Sequence, residues 1–470
     1  MRTGIFIFFS FLTIVMLITG FPVIGMIDAN AEKLLSIYRI AFGLLLVLRI
    51  YRSKKAYILI HSNKNKTKLL FRIKLICAFS LIFGLFTPVS SVLIFLLFVL
   101  IFHNSNYFSI EEIYFQNVLF FLPFLGTNKM YSLDSFFNID IFLYSENMLN
   151  AFLLSNSIIL LSAGYEKLKS PIWLKGIAAK TFLTLPHLVN KKFHFICDIK
   201  SPFIWKILTY FILFCEFFFM ISILHFDTFM ITSFILLGFA ISLFSIVDLS
   251  FIGQILFLNI ALFGLIFFMN INEYPSFLEI QINEIDFYLV ISIAVSLYSL
   301  VVVFFYSDSS FYKFNRFLTG IICPIAVFNE RHLSGFYIYK LSMEDTDTHL
   351  DGAFSDEGYP GRLQNWHPRI FQSAMYFVTD FCLGILKFGP KSDLHKQRMV
   401  DLLYSALDQK NENKGKVSLS VRGFNLEDTF LSFSEKKWTK IVICDFKSHT
   451  DYVFKVTEIP DQLKEQTRFI

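Results

Sequence analysis

Long apolar stretches separated by short polar connections dominate the first two thirds of this chain. Stretches of this length match the roughly 20 residues that a helix needs to cross about 30 Å of hydrocarbon. The pattern predicts transmembrane helices near residues 4–25, 34–50, 74–102, 113–126, 148–165, 203–224, 228–247, 249–270 and 286–306. Eight or nine crossings follow. The predicted fold class is an all-α polytopic membrane bundle over residues 1–310.

Two of these segments have alternative interpretations. The first follows Arg2 and resembles a signal peptide, but its apolar run is longer than usual and no cleavage site follows, which favours a retained helix. The segment 74–102 is interrupted at Thr87-Pro88, so it is either one kinked helix or two short ones. The choice inverts the topology of everything downstream.

The pattern changes past about residue 310, where charged residues return and long apolar runs cease. Residues 329–470 are long enough for one packed core, and we predict a small α+β soluble domain there. His395–Gln409 has helical periodicity, whereas Val417–Val421 and Ile441–Phe446 are predicted strands. An alternating acidic stretch suits a solvated loop better than a cation site; it contains Asp345, Asp347, His349 and Asp351.

Composition supports the membrane class. Of 470 residues, 55% are hydrophobic and only 17% are charged, which indicates a multi-pass integral protein of the plasma membrane, or of the inner membrane in a bacterium. The 61 phenylalanines suit lipid-facing and interhelical surfaces better than a soluble core. The six cysteines form no CxxC pair, which argues against a zinc site or a disulfide framework, and no metal is predicted.

Positive charge is concentrated in one early connection. No Asp or Glu occurs between Lys33 and Ile110, and the basic residues in that interval include Arg49, Arg52, Lys54, Lys55, Lys64, Lys66, Lys68, Arg72 and Lys74. The positive-inside rule makes this connection cytoplasmic, with the lipid bilayer rather than nucleic acid as its partner. A second lysine-rich stretch, residues 166–202, lies outside if 74–102 crosses once and inside if it crosses twice.

The sequence Ser162-Ala163-Gly164-Tyr165-Glu166-Lys167 closes a long apolar run and is followed by Trp173-Leu174-Lys175-Gly176. A lysine is a general base only in its neutral form, which a dry, membrane-embedded pocket favours. Gly164 shares a helix face with Lys167, and its missing side chain would let a flat ligand approach, with Tyr165 and Trp173 as aromatic walls. Alternatively, Lys167 only caps the helix or reaches lipid headgroups.

Other polar residues at membrane depth are further candidates. Glu216 is ionisable inside a span, so it is a candidate for proton transfer or for pairing with Lys167 or Lys206, and a structural interhelical hydrogen bond is the alternative.

Upstream, His103 and Asn104 follow an apolar run, where an interfacial role with Asn104 as a helix cap is the alternative to chemistry. Asp134 also suits the N-cap of a helix before Phe136.

Together, the Ser162–Lys167 segment, Trp173, Gly176, His103-Asn104 and Ser132-Leu133-Asp134 resemble the membrane core, or HTTM domain, of the vitamin K-dependent gamma-carboxylase superfamily. The resemblance covers residues 30–305. It implies that Lys167 is the base acting on a quinol and that His103 supports the developing charge. The implied quinone pocket contains Asn104, Asp134, Gly164, Tyr165, Trp173, Gly176 and Glu216. Glu166 stands where the carboxylases have a first lysine.

The resemblance implies lyase chemistry with vitamin K hydroquinone or menaquinol, oxygen and carbon dioxide. Oxidation of the quinol would supply a strong base that removes a γ-proton from a peptide glutamate, and carbon dioxide would trap the carbanion. A peptide or protein would be the substrate. The alternative is a non-catalytic membrane partner in peptide maturation, export or immunity. A transporter ranks third, because no inverted repeat is evident.

Overall fold

The computed structural model describes residues 2–18, 29–60, 64–105, 110–139, 145–168, 171–183, 191–246, 250–269, 287–305, 337–343, 400, 403–404, 415–423, 439–448 and 450–457. Helices fill most of these ranges, because an apolar segment in lipid must satisfy its backbone groups internally. The helices are α1 Arg2–Ile18, α2 Ala29–Ile60, α3 Lys64–Phe83, α4 Thr87–Ser105, α5 Ile110–Phe121, α6 Leu133–Phe136, α7 Glu146–Leu168, α8 Pro171–Leu174, α9 Ala178–Leu183, α10 Pro202–Ser222, α11 Phe226–Ser245, α12 Ser250–Met269 and α13 Phe287–Phe305. Two 3-10 helices add Leu122–Phe124 and Lys191–Asp198.

Five helices in the described part of the chain are long and apolar enough to cross a membrane: Asn30–Tyr51, Asn147–Tyr165, Pro202–Ser222, Asp227–Ser245 and Ile252–Met269. Three shorter apolar helical stretches accompany them, at Phe6–Leu17, Thr87–Val99 and Phe287–Val301. The protein is therefore a multi-pass integral membrane protein, as the apolar pattern predicted.

The segment 74–102 belongs to two helices. Helix α3 ends at Phe83, and α4 begins at Thr87. Gly84 takes a left-handed conformation with φ of 65°, which glycine adopts without a Cβ clash and which ends the helix. Because only three residues join α3 to α4 and the two helices pack together, they form a helical hairpin.

A fully buried arginine holds the turn of this hairpin. Arg39 of α2 donates from Nη1 to the carbonyl oxygens of Leu81 and Ile82, at 2.6 and 3.1 Å. Its Nη2 donates to the Tyr131 oxygen at 2.6 Å, and its Nε to the Thr127 oxygen at 3.0 Å. The guanidinium thus joins α2, the end of α3 and the 127–131 loop. Arg39 therefore has a structural role.

Asp134 completes this cluster by capping α4 rather than its own helix. Its carboxylate accepts hydrogen bonds from the backbone N–H groups of Phe86 and Thr87, at 2.8 and 3.3 Å. A carboxylate at that position also matches the positive end of the helix dipole. The N-cap of α6 is instead Ser132, whose hydroxyl accepts from the Ser135 N–H. The predicted capping role was therefore assigned to the wrong helix.

Helix α7 is the centre of the bundle, since 94% of its candidate span is buried, against 28% for α11. Neutral polar side chains tie it to its neighbours. Asn259 of α12 accepts a 2.7 Å hydrogen bond from the Tyr38 hydroxyl and donates another, also 2.7 Å, to Asn156 of α7. Asn117 of α5 donates to Ser155 at 2.5 Å. Such interhelical hydrogen bonds supply specificity where lipid removes the hydrophobic driving force.

The two ends of α7 lie at opposite ends of the bundle. The Ser145 N–H, just before α7, donates to the Phe124 oxygen, near the Arg39 cluster, while Ser155 meets Asn117 further back along α5. Helices α5 and α7 therefore run antiparallel. The 23 residues of α7 span about 34 Å. Lys167 thus lies at the end away from Arg39, which is also the end of the basic connection between α2 and α3.

The C-terminal region contains a four-stranded antiparallel sheet in the order β1-β2-β3-β4. The strands are β1 Tyr337–Met343, β2 Gly415–Gly423, β3 Thr439–Phe446 and β4 Tyr452–Val456. Both predicted strands are confirmed, within β2 and β3, whereas β1 and β4 were not predicted. Of the predicted helix at 395–409 only residues 400, 403 and 404 are described, all helical.

Replacing Gly84 with alanine tests the Arg39 cluster. An added Cβ would lie 2.4 Å from Arg39 Nη1 in a backbone conformation that alanine avoids, so we expect the free energy of unfolding to fall by more than about 2 kcal/mol. Gly238→Ala in α11 is the control, because no atom lies within 4 Å of the added methyl group. Thermal unfolding in detergent measures both. Equal unfolding midpoints for the two variants would contradict the close packing of Gly84 against Arg39.

Cysteine labelling tests on which side of the membrane the Arg39 end and the Lys167 end of the bundle lie. Phe136→Cys, at an exposed position near Arg39, should react with a membrane-impermeant maleimide only from outside intact cells. Lys175→Cys, beyond the Lys167 end of α7, should react only in inverted vesicles, because the positive-inside rule makes that end cytoplasmic. The labelling of the parent protein, which lacks the introduced cysteine, is subtracted. Reaction of both cysteines from one side would contradict the arrangement.

Candidate functional site

Two side chains of opposite charge meet inside the helical bundle. Lys167, in the last turn of α7, donates from Nζ to Oε1 of Glu216, in the middle of α10. Both residues are buried, with exposed fractions of 4% and 3%. Of the two lysines that the sequence offered to Glu216, the structure selects Lys167, since Lys206 is exposed at the start of α10.

A glycine one turn before the lysine allows the two helices to come this close. A Cβ at Gly164 would lie 2.8 Å from the ring of Phe217 and 3.2 Å from Cβ of Glu216. A Cβ contact of 2.8 Å is essentially never seen in proteins, so a side chain at this position would push the Phe217 ring or α10 away. Phe217 therefore fills the space that the sequence assigned to a flat ligand. Gly164 positions the ion pair through helix packing.

Trp173 covers the lysine on another side. The chain leaves α7 at Leu168, and the short helix α8 brings the Trp173 ring over Lys167, with Nζ 5.0 Å from the ring centroid. An ammonium at this distance from an indole face makes a cation–π contact, which is stronger where water is excluded. Trp173 is itself only 2% exposed. The ammonium thus has a carboxylate and an aromatic face as neighbours.

One oxygen of the Glu216 carboxylate is not used by the ion pair. Oε2 of Glu216 is buried, and among the described residues no donor forms a hydrogen bond with it. Tyr114 of α5 lies within electrostatic range of this carboxylate. A buried carboxylate oxygen without a donor is costly, so it is a place where a hydroxyl group from outside the chain gains a strong hydrogen bond. Chemically, the pair can hold or pass one proton.

The chain following α8 is fixed against the first half of α10. Gly176 turns between α8 and α9 with φ of 74°, and an added Cβ would lie 2.6 Å from Cγ of Lys206. The Thr209 hydroxyl accepts from the Ala179 N–H at 3.0 Å. Gly176 is therefore a turn residue that packs against Lys206 of α10. Tyr165 is half-buried and packs on the core of the bundle.

Not all the predicted site residues meet at Lys167. Asp134 lies in the Arg39 cluster, toward the other end of α7. His103 and Asn104 fall in the last turn of α4, and their side chains lie outside those that the structure describes, as does that of Glu166. The acidic stretch 345–351 is also outside the described residues. Within the described residues, no group of three His, Cys, Asp or Glu side chains is arranged to hold a metal.

Sequence reasoning missed the neutral polar contacts and Tyr114. Asn117, Asn156 and Asn259 each interrupt an otherwise apolar span, and a polar side chain at that depth faces the interior of a bundle. That signal was present in the sequence, but it does not identify which helices pair.

The comparisons with known proteins add no relative. No family model matches the chain, and neither a curated protein nor a solved structure matches it.

Breaking and then removing the ion pair tests its place in the fold. Lys167→Met leaves the Glu216 carboxylate buried without its cation, so we expect the free energy of unfolding to fall by about 3–5 kcal/mol. The double variant Lys167→Met/Glu216→Leu removes both charges and should recover most of that loss.

Lys206→Met is the matched control, since this exposed lysine lies on the same helix as Glu216. Its effect on the free energy of unfolding should stay within about 0.5 kcal/mol. Denaturant or thermal unfolding in one detergent gives all four stabilities. A double variant less stable than Lys167→Met would show that the two side chains do not act as a pair.

Proposed function

We propose that this protein is a membrane enzyme of the vitamin K-dependent gamma-carboxylase type, in which the Lys167–Glu216 pair accepts a proton from a lipid-soluble quinol. The observation that carries the proposal is the buried pair with its unsatisfied carboxylate oxygen. The HTTM-like domain would comprise residues 1–310 with eight or nine crossings, and residues 329–470 would form the soluble domain.

The groups around the pair suit a quinol hydroxyl. A hydroxyl donor needs an acceptor, and Glu216 Oε2 is a buried acceptor without a described donor. An aromatic ring packs well against an aromatic wall, and Trp173 lies beside the lysine. A site enclosed by apolar helices excludes water, which strengthens each of these interactions. These features support the fit and are independent of the family resemblance.

Glu216 and Lys167 have different roles in the proposed proton transfer. In the ion-paired form Glu216 is the proton acceptor at Oε2, and the Lys167 ammonium stabilises the negative charge that develops on the ligand oxygen. When the proton resides on the carboxylate instead, Lys167 is neutral and is itself the base. Either distribution keeps one transferable proton inside the pair. This extends the family-derived expectation, which assigned the base to Lys167 alone.

When bound, the quinol would supply oxygen-dependent formation of a base strong enough to remove a γ-proton from a peptide glutamate, for carboxylation by carbon dioxide. The chain's own part is to orient the quinol, exclude water and take the first proton. His103, carried over from the resemblance, would support charge development. The substrate would be a peptide or protein.

Quinol epoxidation by the purified protein tests the proposal. With reduced vitamin K or menaquinol and oxygen, the wild type should form epoxide, and the double variant Lys167→Met/Glu216→Leu should lower the rate at least 100-fold, since it removes both proton acceptors. Lys206→Met should retain the wild-type rate. Unfolding midpoints establish that the variants are folded.

Absence of epoxide from folded wild type with both quinols would overturn the proposal. Partner binding that is equally strong in the wild type and in the double variant would then support the non-catalytic role in peptide maturation, export or immunity.

A further inference from the structure

The segment between α7 and α10, together with the first turns of α10, carries an excess of positive charge. Residues 168–207 contain seven lysines and no arginine, against one acidic residue, Asp198. Five of these lysines are exposed in the structure: Lys175, Lys180, Lys192, Lys200 and Lys206. A protein surface with this charge excess attracts anions.

Large apolar side chains are exposed among the same lysines. Leu174 and Ile177 are 55% and 45% exposed around the turn after α8, and Phe195 is 64% exposed in the second 3-10 helix. Phe203 and Ile207 add 69% and 52% from the first turns of α10. Interleaved lysines and large apolar side chains characterise a surface that lies at the boundary between headgroups and acyl chains.

This surface is held in place by hydrogen bonds. The Trp205 indole N–H donates to the Ile199 oxygen at 2.9 Å, and the Tyr210 hydroxyl donates to the Leu174 oxygen at 2.7 Å. The lysines are therefore displayed from a folded surface at the Lys167 end of the bundle. The basic connection between α2 and α3 lies at that same end, so two independent lysine-rich segments meet one leaflet.

We propose that the surface formed by residues 171–183 and 191–207 binds anionic phospholipid headgroups of the cytoplasmic leaflet, next to the Lys167–Glu216 pair. The lysines contact the headgroup phosphates while Leu174, Ile177 and Phe203 enter the acyl region. Charge complementarity selects an anionic over a zwitterionic lipid, because each lysine near the surface adds attraction for the anionic headgroup. The inference holds whether or not the ion pair transfers protons.

Quenching of tryptophan fluorescence by brominated lipids tests this inference. Trp173 and Trp205 lie in this segment, so Trp366→Phe and Trp438→Phe leave these two as the only reporters. The full-length protein is reconstituted into phosphatidylcholine vesicles containing brominated phosphatidylglycerol or, at equal fraction, brominated phosphatidylcholine. We expect stronger quenching by phosphatidylglycerol.

Replacing two exposed lysines should remove that preference. Lys175→Gln/Lys206→Gln should lower the relative affinity for phosphatidylglycerol roughly tenfold. The control Lys447→Gln/Lys455→Gln removes the same charge from exposed positions of the C-terminal sheet and should keep the preference. If the first variant misfolds, Lys180→Gln/Lys200→Gln replaces it. Equal quenching by the two lipids in the wild type, or an unchanged preference in the lysine variants, would overturn the proposal.

Discussion

A charge buried inside a membrane protein needs a partner of its own, and this constraint organises the bundle. An unpaired ion in a dry interior costs several kcal/mol, which is a large fraction of the stability of a typical fold. Arg39 meets four carbonyl oxygens, Asp134 meets two backbone N–H groups at the start of α4, and Lys167 meets Glu216. Lys74 lies over the Phe98 ring, 3.5 Å from its centroid. These contacts fix which helices lie side by side.

The pairings differ in how completely they satisfy their charges. Both oxygens of Asp134 accept hydrogen bonds, and every nitrogen of the Arg39 guanidinium donates one. That cluster is suited to hold a hairpin turn and a loop in place. Glu216 instead has one oxygen on Lys167 and one without a described donor. Buried ion pairs add little net stability, so this pair selects which helices pack together more than it stabilises the fold, and it leaves Glu216 Oε2 as an acceptor without a described donor.

The sequence predicted most helices because lipid imposes a simple rule on length and hydropathy. It also offered Lys167, Trp173 and Glu216 as candidates, since a charge or an indole at membrane depth is conspicuous. It did not predict that Phe217 would fill the space at Gly164, or that Asp134 would cap α4. Both depend on which helices pack together, and apolar periodicity carries no such information. Strands β1 and β4 were not predicted, although Tyr339–Met343 and Phe454–Val456 alternate apolar and polar residues.

The Lys167–Glu216 pair and the lysine-rich surface lie at the same end of the bundle. The pair lies at the end of α7 where both lysine-rich segments occur. Trp173 belongs to one of these segments and contacts Lys167 of the pair. A lipid-soluble ligand reaching Glu216 would therefore approach from the leaflet that this lysine-rich surface contacts. Helix packing at Gly164 and the cover provided by Trp173 keep water away from the charges.

Equilibrium binding of menaquinol under nitrogen tests whether the Lys167–Glu216 pair binds a quinol, because it separates ligand recognition from turnover. The wild type and the folded double variant Lys167→Met/Glu216→Leu are titrated in the same detergent, with Lys206→Met as the control. We expect saturable binding by the wild type and the control, weakened at least tenfold in the double variant, since the hydroxyl acceptor is lost. Equal affinity in all three proteins would contradict the claim that the ion pair is the ligand site.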